Sequence, residues 1–559
     1  MMGIWLLMPK VRSRLLVALL ALLFLNVNTS AQRSAIDTYA ITNARIVTVS
    51  GSVIERGTVV VRNGLIAAVG ANVNAPPDAR VIDGAGLTVY PGLIDSYTNL
   101  ALPEAAPSPS PGGGGGGGFF AAPPARPAGG PNSTQPVGLQ PEVMVEDVIR
   151  PGGTEIESSR NVGITTALTL PRSGIWMGQS ALINLSGETP QEMIVRSPVA
   201  MHVGFTPLRG SYPGSLLGVF ATLRQMMLDA QRYRDSMQIY DRSPRGTRRP
   251  ETDRSLAALI PVVEGKMPVV MFANSEREIS RALDLAAEFK LRLIIAGGRE
   301  ADRAAERLAE QKVPVLLSLN LPRRTTAAMP EADPEPMRVL RERVEAQQTA
   351  GKLAKAGVRF AFQSGSLTNM SDLMVNAGRV IENGLQAAEA LRAFTIWPAE
   401  ILGVDNQLGT IEVGKIANLT VTRGDLFDRN SRVAHVFIDG RPVDLRPAGG
   451  GGVGRNNVSG FWSANIDLGQ GEKAVSFNLM QEGERLTGSI AGSLGAGEIS
   501  NASATNTGDV RFTVPLNLEG QTKEATFSGR LANNEIRGSV TVVGSAPGTF
   551  TATRSGQPN

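Results

Sequence analysis

The 559-residue chain contains no cysteine and only two histidines, His202 and His435. Without cysteine there is no disulfide framework, no thiolate metal site and no cysteine nucleophile. Two histidines are too few for a histidine-rich metal centre, and they leave little for a Ser-His-Asp triad. Long apolar runs are scarce too. Leu15–Leu25 is uninterrupted but short of the ~20 residues a membrane-spanning helix needs. With Lys10, Arg12 and Arg14 before it and Thr29-Ser30-Ala31 after it, residues 1–31 read as an export signal. An uncleaved anchor is the alternative. Those three basic residues account for three of the four net positive charges, so the mature chain is nearly neutral. Its charge gives no reason to expect a nucleic-acid partner or a stable membrane contact. A cysteine-free exported chain fits a bacterial periplasm or the exterior.

What is present is ample core, at 42% hydrophobic residues. Val59–Arg62 and Leu65–Val69 flank Asn63-Gly64, a dipeptide that accepts the positive φ of a two-residue hairpin turn. A matching pair flanks Asp439-Gly440. Residues 36–90 and 400–445 therefore read as one composite β-sandwich subdomain built from both flanks. Between them, residues 91–399 alternate buried apolar runs with amphipathic helices. The runs are Ile164–Leu170, Val199–Val203, Pro268–Ala273, Leu291–Ala296, Val313–Leu319 and Val358–Phe362; the helices include Glu276–Phe289 and Pro336–Ala356. With Val89–Ile94 as the first strand, seven of the eight strands of a (β/α)₈ barrel are identified, and the fourth is missing. An open doubly wound sheet is the alternative.

Residues 103–141 hold ten prolines and ten glycines and read as a disordered insertion. No Gly-Lys-Ser/Thr follows, which excludes a phosphate-binding loop. The insertion follows the first strand, at the face where barrel active sites lie. A Gly-rich linker at 446–457 leads to residues 458–556, where short period-2 segments read as a small antiparallel barrel. Either a ligand-binding interior or a plain appendage fits that pattern.

The segment Val89-Tyr90-Pro91-Gly92-Leu93-Ile94-Asp95 resembles the amidohydrolase superfamily, in particular its imidazolonepropionase-like branch. Gly163-Ile164-Thr165-Thr166 and the tract from Leu391 through Gly403 to Lys415 resemble it as well. The resemblance covers roughly 38–445. It implies a (β/α)₈ barrel and hydrolysis of carbon–nitrogen bonds by one or two divalent metals, which activate water and polarise a carbonyl. In the family the first motif continues Asp-x-His-x-His; here it reads Asp95-Ser96-Tyr97-Thr98-Asn99. The spacing is kept and both ligands are replaced. The strand-five ligand position falls at Phe272, the strand-six position at Gly297 and the strand-eight aspartate at Gly365. With these residues the ordinary metal centre does not form, so no cofactor is expected where the family would carry a metal.

Asp95 and His202 are weak catalytic candidates, each with a plain reading as a hydrogen-bonded or semi-buried residue. His435 reads as structural, and Gly178-Gln179-Ser180-Ala181 lacks the last glycine of a nucleophile elbow. Arg242–Arg254 reads as a solvated loop, with a phosphate or acidic-lipid contact as the alternative. The expectation is an exported pseudoenzyme that binds a small molecule at a pocket lined by Tyr97, Asn99, Phe272, Asn274, Gly297 and Gly365. A hydrolase working through a non-standard site is the alternative. A second copy of the chain or an active paralogue is a possible partner.

Overall fold

Proline at 91 and glycine at 92 divide the tract that reads as one strand in the sequence. Leu87–Pro91 pairs antiparallel with Leu419–Arg423 and parallel with Thr38–Ile46. Leu93–Thr98 instead pairs parallel with Ile164–Thr169. The expected first barrel strand, Val89–Ile94, is thus corrected to Leu93–Thr98. Gly92 is the crossing point: its N–H donates to the Asn418 carbonyl (2.7 Å), and the Thr165 side chain fills the space a β-carbon would need. The structure, a computed structural model, describes residues 38–103, 135–208, 212–322, 336–445 and 458–556, apart from 366, 368, 429, 470, 483–484, 506–507, 519–520, 533–534 and 543–546. Residues 1–31, expected to be an export signal, residues 446–457, expected to be a linker, and most of the expected insertion at 103–141 lie outside the described residues.

The chain divides into two units, Met1–Leu445 and Arg446–Asn559. In the first unit, strands from both flanks join in one eight-stranded sheet. Leu87–Pro91 is the seam between the N-terminal strands and Leu419–Arg423, Arg432–Ile438 and Arg441–Val443. The two hairpin turns adopt positive φ at Asn63, Gly64, Asp439 and Gly440. They also meet: a β-carbon on Gly440 would lie 2.7 Å from the Gly64 α-carbon. The sheet thus folds over a core that includes Ile41, Val59, Val89, Leu419 and Phe437.

The barrel follows in chain order as Leu93–Thr98, Ile164–Thr169, Trp176–Asn184 (broken at Ser180), Met201–Gly204, Val269–Ala273, Leu293–Gly297, Val315–Ser318 and Phe360–Gln363. Strands one and two pair in parallel, as do four through eight. The strand missing from the sequence reading is the third, not the fourth, and it runs antiparallel to both neighbours. Its direction follows from connection length. A parallel crossover needs about a dozen residues, and only Leu170–Ile175 separates strand two from Trp176. The polar Gln179, Ser180 and Asn184 also break its apolar run, which hides it in the sequence.

Alternation divides the strands between two packings. Ile94, Leu168, Leu182, Val270, Ile294, Leu316 and Ala361 form one cluster. Residues one position away, such as Ala167, Met271, Ile295, Val315, Phe360 and Phe362, join a second cluster with helix residues such as Leu283, Leu353 and Phe394. Strand eight meets strand one through side chains: the Ser96 hydroxyl donates to the Phe362 carbonyl (2.6 Å), and the Ser364 N–H donates to Asp95 Oδ1 (3.0 Å).

The second unit is a closed antiparallel meander. Its first strand, Gly460–Asp467, pairs with its last, Gly548–Gly556, and Glu472–Glu482 pairs with Arg485–Gly492. Phe477, Phe512, Phe527 and Phe550 pack ring on ring inside, with centroids 5.1–6.4 Å apart. Aromatic side chains thus occupy the space a ligand-binding interior would use.

Candidate functional site at the carboxyl ends of the barrel strands

Strand one ends at the sequence Asp95-Ser96-Tyr97-Thr98-Asn99, and the structure sends these side chains to different places. Asp95 is buried. Its Oδ1 accepts from the backbone N–H groups of Ser364 and Tyr97, while Oδ2 is buried without a partner. Burial raises its carboxyl to about 6, and the hydrogen bonds from Ser364 and from the Tyr97 backbone only partly oppose this. Asn99 turns away and donates from Nδ2 to the Leu170 carbonyl (2.7 Å), joining the ends of strands one and two.

Tyr97 joins an aromatic group. Its ring centroid lies 5.8 Å from that of His202 on strand four and 5.9 Å from that of Phe272 on strand five, both tilted. Burial pushes its phenol above the ordinary value. His202 is 1% exposed with no hydrogen-bond partner at either ring nitrogen, and burial lowers it to about 3, so it is neutral. His435 lies half-buried on the Arg432–Ile438 strand of the composite sheet. Ser180 donates its hydroxyl to the Ala200 carbonyl (3.3 Å) and is buried.

A cavity of about 260 Å³ opens at the ends of strands five, seven and eight. Phe272, Asn274, Ser318, Asn320, Gln363 and Arg299 line it, and Gly365 forms part of its wall. Asn274 stands just before the Glu276–Phe289 helix, where Ser275 and Glu278 form a capping box. Glu278 also accepts from the Asn274 N–H (3.0 Å), which fixes the chain leaving strand five. Gly297 and Gly365 both have positive φ and keep space open. A β-carbon on Gly297 would lie 2.5 Å from Asn274 Oδ1 and 3.3 Å from the Phe272 ring. One on Gly365 would lie 2.9 Å from Ser318 Oγ and 3.3 Å from Gln363 Oε1.

The structure therefore brings together Phe272, Asn274 and Gly365 at the cavity, with Gly297 beside them and the Tyr97 ring tilted against Phe272. It does not bring Asn99 or Asp95 to that wall. Sequence reasoning missed Ser318, Asn320, Gln363 and Arg299. Three of them carried a signal: Leu317-Ser318-Leu319-Asn320 and Phe360-Ala361-Phe362-Gln363 place polar residues at alternate positions near strand ends.

A divalent ion of the kind the family uses does not fit this donor set. Among the described residues, no group of three or more His, Asp or Glu side chains lies close enough to hold one. The five positions where the family resemblance expects ligands carry a phenol, an amide, a phenyl ring and two glycines, which give no set of anionic or imidazole donors.

The amidohydrolase family profile matches residues 195–443, from just before strand four through the last strand of the composite sheet. An amidohydrolase from Thermotoga maritima MSB8 superposes with a TM-score of 0.61 at 26% identity, covering 73% of this chain and 100% of that one. The N-acetylglucosamine-6-phosphate deacetylase of Haemophilus influenzae is 35% identical over 78 residues, 14% of this chain and 19% of the deacetylase. The chain spans about a fifth of the length of that curated relative. The fold is a TIM-type barrel with a β subdomain and an added all-β unit, and residues 195–443 of the chain match the amidohydrolase family.

Proposed function

We propose that this protein is an exported member of the superfamily that has lost metal-dependent hydrolysis and binds a small molecule at the carboxyl ends of its barrel strands. The observation that carries the reading is the donor set: Tyr97, Asn99, Phe272, Gly297 and Gly365 stand where the family resemblance expects metal ligands. Tyr97 and Phe272 fill with aromatic rings the volume an ion and its waters would need, while the glycines leave an organic-sized space beside them. Residues 1–31 supply the export signal of this reading, and a periplasmic or secreted location follows from it. The test is metal analysis of the purified protein, before and after incubation with Zn²⁺, Mn²⁺ or Fe²⁺ and removal of excess ion. Substoichiometric metal throughout is the expected result; one tightly held ion per chain overturns the reading.

A second reading rests on Asp95. A buried carboxyl with one free oxygen, held at about 6, is suited to proton transfer near neutral pH, in a fold whose relatives include hydrolases. It expects chelator-insensitive turnover of N-acyl amino acids, dipeptides or cyclic amides that disappears in Asp95→Ala or His202→Ala. Failure to hydrolyse any of these classes removes it.

A further inference from the structure

Gln363 is the starting point. It is 1% exposed on the last barrel strand, its Nε2 donates to the Leu316 carbonyl (2.9 Å), and its Oε1 is buried with no partner. Leaving a buried amide oxygen unpaired is unfavourable. That oxygen lies 3.3 Å from where a β-carbon on Gly365 would stand, and Ser318 Oγ is 2.9 Å from the same point, so the missing side chain leaves room beside both. Gly365, Ser318 and Gln363 all line the cavity. An occupant must therefore offer an N–H or O–H to Gln363 Oε1 beside a hydroxyl that can donate or accept.

The rest of the wall narrows the class. Asn274, Asn320, Ser318 and Gln363 are neutral groups that mix donors and acceptors, as hydroxyl ligands do. Among the described residues Arg299 is the one charged side chain on the wall, and it is bridged to Glu342 at 2.8 Å. An anionic occupant would meet a guanidinium whose charge Glu342 already offsets, which weakens its attraction relative to a neutral one. Phe272 leaves 37% of its surface open, an apolar platform for a C–H face. A volume of about 260 Å³ equals roughly eight or nine liquid waters, enough for a ligand of about a dozen non-hydrogen atoms.

We propose that this cavity binds a neutral polyhydroxylated ring of monosaccharide size, with a ligand hydroxyl donating to Gln363 Oε1 and the ring's apolar face on Phe272. The proposal rests on the metal-free binding reading above and assigns it a ligand class. The test is isothermal titration of the full chain with D-glucose, D-galactose and D-mannose, against D-glucuronate and L-proline as anionic and zwitterionic probes. At least one hexose is expected to bind saturably, in the presence of chelator, with a dissociation constant on the order of 1 mM or tighter. Gln363→Leu and Phe272→Ala are each expected to weaken it about tenfold or more. The second variant guards against misfolding, because it trims a partly exposed ring. The assignment is overturned if no hexose binds, if both variants bind undiminished, or if only glucuronate or proline binds. Those outcomes leave the metal analysis untouched, so the ligand class and the loss of metal chemistry stand or fall separately.

Discussion

His202 lies beside the Tyr97 ring and Asp95 accepts from the Tyr97 N–H, and burial moves the two in opposite senses. His202 falls from 6.5 to about 3, so it stays neutral in the fold and protonates first in the unfolded chain. Its contribution is intact above ~6.5 and is lost as pH drops toward 3, by up to ~5 kcal/mol. Asp95 rises from 3.8 to about 6, so the fold favours its protonated form. Stability from this group is intact below ~4 and is lost as pH rises through 6, by up to ~3 kcal/mol. His202→Phe should therefore flatten the acid limb of a urea-denaturation series between pH 4 and 7. Asp95→Asn should stabilise by about 1–3 kcal/mol at pH 7.5 and by nothing near pH 4. Parallel pH profiles for wild type and variant would show that neither group is held as described. The composition flagged both residues by scarcity and by motif. It did not show that neither stands on the cavity wall, because contacts across the barrel depend on strands 100 or more residues apart.

At the level of elements, regular periodicity was readable and interruptions were not. Glu276–Phe289 reads from its apolar spacing, and both hairpins read from Asn63-Gly64 and Asp439-Gly440. The third barrel strand escaped because its polar residues serve buried bonds: the Gln179 Nε2 donates to the Pro141 carbonyl, and Asn184 Oδ1 accepts from Thr166 and Asn418. The strand change at Gly92 escaped because Pro-Gly looks like a loop signal inside an apolar tract. That site gives an element-level test. A β-carbon at Gly92 would lie within 2.9 Å of three Thr165 side-chain atoms. Gly92→Ala should cost ~1–3 kcal/mol by overpacking. Thr165→Ala gives up its hydroxyl's bond to the Leu93 carbonyl, a smaller loss. In the double variant the two losses should combine to less than their sum, because the two nearest atoms, Thr165 Oγ1 and Cγ2, go with the threonine and only its β-carbon stays close. Additive losses in a double-mutant cycle would place the cost of Gly92→Ala elsewhere.

For the whole molecule, each unit has its own core, and this determines how the chain unfolds. The first unit is held by clusters running through the composite sheet and the barrel. The second is held by one cluster around Phe477, Phe512, Phe527 and Phe550. Within it Phe512 and Phe527 stack with centroids 5.1 Å apart and planes 7° from parallel, and Phe477 and Phe550 meet Phe527 edge-on. Truncating such a ring costs ~3–5 kcal/mol, a large share of a ~100-residue unit's ~5–15 kcal/mol. Phe527→Ala should therefore lower or abolish one calorimetric transition and leave a second at its wild-type midpoint, together with ligand binding at Gln363. A single transition moving as a whole would show that the two cores unfold as one. Loss of hexose binding in Phe527→Ala, with the barrel transition intact, would show that the second unit contributes to the site.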